Sequence, residues 1–256
     1  MEVHHHTHHP KKWKEYLSEF FMLFMAVFAG FMAESYLEYR TERHKEHDYL
    51  VSLVSDLKID SADISQKEKN MKKVVEYGSL LSDIVYADNW MDQYADSMYI
   101  WSESMYVTEI SLQFADGTLD QLKNAGGFRL IKSKEIAEKI KDYMKGQKRI
   151  NEQGIGMDQR MQQLLTEKSS IMYARVFNYT GNVLEGKSIV TLKNIKLNKI
   201  QAKTGSKFLN TDLKEFIKLS NTSFYFIGQL YVYREMALSQ QQQATDLIKL
   251  IQAEIK

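Results

Sequence analysis

Pro10 is the only proline in this 256-residue chain, so no proline interrupts the backbone anywhere from Lys11 to Lys256. Glycine is also sparse, at 12 residues. A β-sandwich or an α/β enzyme of this size builds its many turns largely from these two residues. The chain is therefore expected to be all-α.

The apolar spacing indicates how the helices pack. Leu50, Leu57, Ile64, Met71 and Val85 recur at multiples of seven with Gly78 as the gap, and Val54, Val75 and Leu81 fill a second stripe. Met91, Met98, Met105 and Leu112 form another series beside Tyr94, Trp101 and Ala115. A third runs through Ile136, Tyr143, Ile150, Met157, Leu164 and Ile171, and a fourth through Leu213, Ile217, Phe224, Ile227, Tyr231, Leu238 and Ile248. Such patterns predict helices packed at shallow angles, an elongated antiparallel bundle with coiled-coil-like heptads. Methionine and aromatic stripes at this spacing read as core rather than as a cofactor pocket.

The expected long helices span about 40–86, 89–115, 134–178 and 212–255. Asp88-Asn89, Asp116-Gly117 and Ala125-Gly126-Gly127 mark breaks, and Thr118 with Gln121 reads as the capping box of a short helix. Ser133 caps the third long helix, and Asp212 with Glu215 opens the fourth. Between Asn178 and Thr211 the pattern is weak, which suggests a loop with one short helix.

Phe20–Ala33 (FFMLFMAVFAGFMA) has no polar side chain. With its flanks from Tyr16 to Tyr39 it reaches roughly 35 Å as a helix, enough to cross a hydrocarbon core about 30 Å thick. Trp13 and Tyr16 before it, and Tyr36 and Tyr39 after it, suit the two interfaces. A cleaved signal peptide shares the basic lead, but Phe31-Met32-Ala33 is a poor cleavage site and Val27-Phe28-Ala29 only a tolerable one. A buried core helix is the third reading. Length and flanks favour a transmembrane helix at 16–39, between a His/Lys-rich tail at 1–15 and a helical domain at 40–256. Lys11, Lys12 and Lys14 nearly balance Arg40, Arg43 and Lys45. The short basic tail is expected in the cytoplasm and the domain outside the membrane.

Lys12–Asp56 is similar to a Bacteroidetes family of single-span membrane proteins. The shared features are the basic Trp-containing lead, Glu19 at the start of the span, Gly30-x-x-Ala33-Glu34 near its end, and the charged helix beyond. Leu119–Tyr143 resembles the helix–Gly turn–helix in the middle of that family's domain, and Ala244–Lys256 its terminal helix. The resemblance implies a bacterial inner-membrane protein with an α-helical domain, and it brings no activity, substrate or catalytic residue.

Charge and composition narrow the chemistry. Lys+Arg is 34 and Asp+Glu is 33, a formal net charge of +1, which excludes a globally basic nucleic-acid binder. No cysteine is present, which excludes disulfides, thiolate metal sites and cysteine nucleophiles. His4, His5, His6, His8 and His9 form an imidazole tract that could take a divalent transition metal; no other cofactor is expected. His44, His47 and Asp48 lie one turn apart and could form a ligand face, but a solvated helix surface is the better account. Gly181–Ser188 matches G-x-x-x-x-G-K-[ST], but no strand precedes it, and loop glycines are the better account. Lys193, Lys196, Lys199, Lys203 and Lys207 would form a basic face if helical, suited to anionic headgroups or an acidic partner.

Within the span, Glu19, Ala26, Gly30 and Ala33 share one stripe, with Glu34 about 60° round from Glu19 on a helix turning 100° per residue. Small residues four apart let helices approach closely in lipid, so this stripe is expected to be a self-association face. The sum is a non-enzymatic, membrane-anchored scaffold or interaction module. It is expected to be homo-oligomeric, to contact lipid and an unidentified membrane or periplasmic protein, and to bind no nucleic acid. The alternative is a sensor or transport accessory handling protons or metal ions; a nucleotide-binding protein comes third.

Overall fold

The computed structural model describes residues 12–124, 126–173, 177–178, 196–197 and 206–255. Over them the protein is all-α apart from one pair of two-residue strands. Helix α1, Trp13–Asp83, runs 71 residues without a break, because no proline and only two glycines, Gly30 and Gly78, fall within it. At about 1.5 Å per residue it is roughly 105 Å long. The Lys12 N–H donates to Glu15 Oε2 at 3.2 Å and closes its first turn. The expected span and first long helix are thus one rod, which tightens into a 3₁₀ turn at Ile84–Tyr86.

Asn89, with φ of +50°, turns the chain into α2, Trp90–Gln93, and α3, Ala95–Val107. The helix expected to reach residue 115 stops at Val107. Val107, Thr108 and Ile110 are β-branched and poor helix formers, and residues 108–116 have no regular secondary structure. Their amides find acceptors on α1 instead. Gln113 N–H donates to Asp63 Oδ2 at 3.4 Å and Ala115 N–H to Asp60 Oδ1 at 2.7 Å. Thr118 N–H donates to Asp56 Oδ2 at 3.2 Å, so α4, Gly117–Asn124, has its first turn capped from a neighbouring helix rather than from its own Thr118. Gly126, at φ of +67°, supplies the left-handed turn into a 3₁₀ turn at Gly127–Leu130.

Helix α5, Lys134–Ile171, starts where Ser133 accepts from the Ile136 N–H, as its sequence requires. It ends seven residues before the expected 178. Ser169 and Ser170 bond back to the carbonyls of Thr166 and Glu167, and Met172 turns extended. Strand β1, Phe177–Asn178, pairs antiparallel with β2, Lys196–Leu197, so a helical lysine face does not hold at Lys196. Helix α6, Leu213–Glu254, is capped by Asp212, which accepts from the Lys214 N–H at 3.0 Å. Asp212→Ala should cost about 1 kcal/mol of unfolding free energy, measurable by thermal denaturation of the solubilised chain.

Helices α1 and α5 run parallel, with α6 antiparallel to both. Ser220 and Ser223 hydroxyls donate to the carbonyls of Ser82 and Gly78, Arg234 pairs with Glu68, and Gln241 reaches Ser61. On the other side Gln240 donates to the Tyr143 carbonyl and Gln163 to Thr222. Every member of the series from Ile136 to Ile171 is buried. The fourth series holds only in part: Ile227 is buried and Leu238 and Ile248 are half-buried. Phe216, Leu219, Ser223, Phe226, Leu230, Tyr233, Ala237, Gln240, Ala244, Leu247 and Ile251 face inward, in alternating steps of three and four. Leu213, Ile217, Phe224 and Tyr231 face outward. The core forms two clusters, one around Leu57, Ile140 and Leu247 and the other around Met71, Ile150 and Leu230.

Candidate functional site

From Trp13 through Lys45 no residue of α1 is buried. This is the one helix among the described residues long and apolar enough to cross a membrane, and none of its apolar window is covered by the rest of the protein. Phe20, Phe24 and Phe28 stack one turn apart, at centroid distances of 6.2 and 6.1 Å. Bare apolar surface costs about 25 cal/mol per Å² in water, so this stretch is matched to lipid or to another apolar surface. Glu19, Ala26, Gly30, Ala33 and Glu34 all lie on this exposed rod, and a Cβ at Gly30 would meet nothing within 4 Å. The packed domain begins close behind it. Lys132 Nζ sits 4.0 Å from the centre of the Tyr39 ring, Arg129 reaches Glu42 at 3.5 Å, and the Lys132 N–H donates to the buried Glu46 at 2.7 Å.

The tract His4, His5, His6, His8 and His9 lies outside the described residues, as do Gly181–Ser188, Lys193, Lys199 and Lys203. Lys207 donates to the Asp92 carbonyl at 2.7 Å. His47 Nδ1 is 3.6 Å from Asp48 Oδ1 on an exposed surface, and the described residues hold no group of three metal-ligating side chains.

Between the two apolar clusters lies a polar layer that the heptad analysis passed over. Asp60, 1% exposed, accepts from the Tyr143 hydroxyl at 2.6 Å and from the Ala115 N–H. Gln240 spans from α6 to the Tyr143 carbonyl at 2.9 Å, and Gln147 donates to Asp116 at 3.3 Å. Burial holds the Asp60 carboxyl above the usual carboxylate range against the pull of its two donors, and the charges of Asp116 and Asp56 push the same way. Burial also raises Tyr143, and the Asp60 carboxylate adds to the rise. Lys67 pairs with Glu109 at 2.7 Å, and the buried Glu103 pairs with Lys168. A signal for this layer exists in the sequence, because Asp60 and Gln240 are polar side chains standing at inward-facing positions of α1 and α6. These contacts fasten α1, α3, α5 and the 108–116 segment to one another.

No protein-family model, curated protein or solved structure matches this chain.

Proposed function

We propose that this protein is a non-enzymatic scaffold anchored in the bacterial inner membrane by residues 16–39, with an elongated antiparallel bundle packed in the coiled-coil manner and held in the periplasm. The observation that carries the reading is the continuity of α1. The same helix presents an uncovered apolar rod at one end and supplies core residues from Leu50 to Leu81 at the other. With no hinge between, the membrane fixes the height and direction of the whole domain. The buried ionisable groups Glu46, Asp60, Lys67 and Glu103 are each engaged in joining elements, which supports a structural rather than a catalytic use. The likeness of Lys12–Asp56 to single-span membrane proteins points the same way, and the stripe through Gly30 supports self-association within the bilayer.

Two measurements test this. The full chain should stay in the membrane pellet through an alkaline carbonate wash; release into the supernatant would remove the anchor reading. A periplasmic reporter fused after Lys256 should be active and a cytoplasmic one silent. The reverse pattern would place the domain inside the cell.

A further inference from the structure

Helix α6 is apolar on two opposite faces. Its inner face meets α1 and α5. Its outer face carries Ile217 (37% exposed), Phe224 (66%), Tyr225 (63%), Tyr231 (51%) and Val232 (53%). Ile217, Phe224 and Tyr231 stand seven residues apart. Gly228 lies on the same face between the aromatics, and a Cβ there would meet nothing within 4 Å. A helix apolar all round is ordinarily buried all round, and a heptad-spaced stripe is the seam that another helix packs against.

We propose that the outer face of α6 is a dimer seam, filled by α6 of a second copy lying parallel to it. Three observations choose this occupant. The first is area. At roughly 150–250 Å² per exposed aromatic side chain, the stripe offers on the order of 500 Å² per copy. Two copies would bury about 1,000 Å², the threshold for a specific interface. The second is charge. Between Phe224 and Val232 α6 itself carries no Asp, Glu, Lys or Arg, the Arg160 guanidinium of α5 is taken up over the Tyr225 ring at 6.0 Å, and at the ends Lys218 pairs with Glu215 at 2.6 Å and Glu235 with Arg234 at 3.0 Å. Like residues can therefore meet like residues in parallel register without repulsion. The third is height. Ser220 lies beside Ser82 and Arg234 beside Glu68, so the stripe flanks the upper part of the unbroken α1. Copies anchored in one membrane present it at one level, and a two-fold axis along the membrane normal closes the pair. This last step rests on the membrane-anchored reading proposed above.

The chain has no cysteine, so each substitution adds a single thiol. Full-length Ile217→Cys, Phe224→Cys and Tyr231→Cys chains, oxidised in native membranes, should each yield a disulfide-linked dimer several-fold above Lys73→Cys, which is exposed on α1. Phe224→Glu with Tyr231→Glu should abolish linkage through Ile217→Cys while leaving the melting temperature near that of the parent. Dimer levels no higher than Lys73→Cys at all three positions would overturn the seam. So would linkage at Gly228→Cys alone, which indicates an antiparallel crossing, linkage to a different polypeptide, or failure of the thiols to react with maleimide in the monomer. Gly30→Cys is the companion probe. Linkage there without linkage on α6 sinks the seam and keeps the anchored oligomer; a chain recovered in the soluble fraction sinks the anchor itself.

Discussion

Gly146→Leu is expected to lower the unfolding free energy by about 3 kcal/mol, a fall in melting temperature of roughly 6–12 °C for a chain of this length. Gly146 is buried on α5 against Gln240 of α6. A Cβ there would overlap Oε1 of Gln240 and lie 3.0 Å from its Cδ. Moving that amide aside breaks a buried bond, since Gln240 is 1% exposed and its Nε2 donates to the Tyr143 carbonyl. Gly146→Ala makes a finer test. It removes about 1 kcal/mol of glycine's penalty in a helix, which partly offsets the clash. In a Gly146→Ala background, Gln240→Ala should cost clearly less than it does in the parent, because removing the amide also relieves the overlap. Strictly additive effects in that double-mutant cycle would show that the two residues do not confront each other.

The same contact shows where sequence reasoning stopped. Hydrophobic periodicity located α5 because the series from Ile136 to Ile171 is large, apolar and buried throughout, while little apolar besides Ile155 lies opposite. On α6 the rule mixed two faces, since Ile227 is buried and Ile248 packs against the core. The inward positions include Ser223, Ala237, Gln240 and Ala244, small or polar residues that admit close approach, while Phe224 and Tyr231 sit outside. Size and hydrophobicity alone favour the outer stripe; only the position of Gly78, whose carbonyl takes the Ser223 hydroxyl, reveals the inner one. Ser133 and Asp212 were legible because a cap is local chemistry. The irregular segment at 108–116 was not, because its amide acceptors are carboxylates fifty or more residues earlier in the chain. The apolar rod of α1 was legible for the opposite reason: an uninterrupted run needs no partner to identify it. Its neighbours, such as Lys132 over Tyr39, depend on how the turn after Gly126 folds back and leave no trace in spacing.

The polar layer yields the other large effect. Asp60→Ala strands two buried donors, the Tyr143 hydroxyl and the Ala115 N–H, and should destabilise the protein by about 2–5 kcal/mol. Asp60→Asn keeps one acceptor oxygen and should cost about 1–2 kcal/mol at neutral pH. The two variants also differ from the parent in pH dependence. Burial raises the Asp60 carboxyl above its unfolded value of 3.8, so the fold disfavours its ionised form. At neutral pH this titration therefore subtracts from stability. As pH falls through the raised folded value toward 3.8 the fold takes up a proton that the unfolded chain does not, and the subtraction disappears. Asparagine has no such proton. The deficit of Asp60→Asn relative to the parent should thus be smallest at neutral pH and widen on acidification, in urea titrations of the detergent-solubilised chain. Because Asp116 is shifted in the same direction and Glu68 in the opposite one, the parent's own curve mixes signs, and the difference between the two proteins is the quantity to measure. A deficit that stays constant with pH would mean that Asp60 titrates as a solvated carboxylate and that the layer is open to water. Replacing the pair by apolar groups of similar shape, Asp60→Leu with Tyr143→Phe, should recover part of the loss, since it leaves only the Ala115 amide without an acceptor.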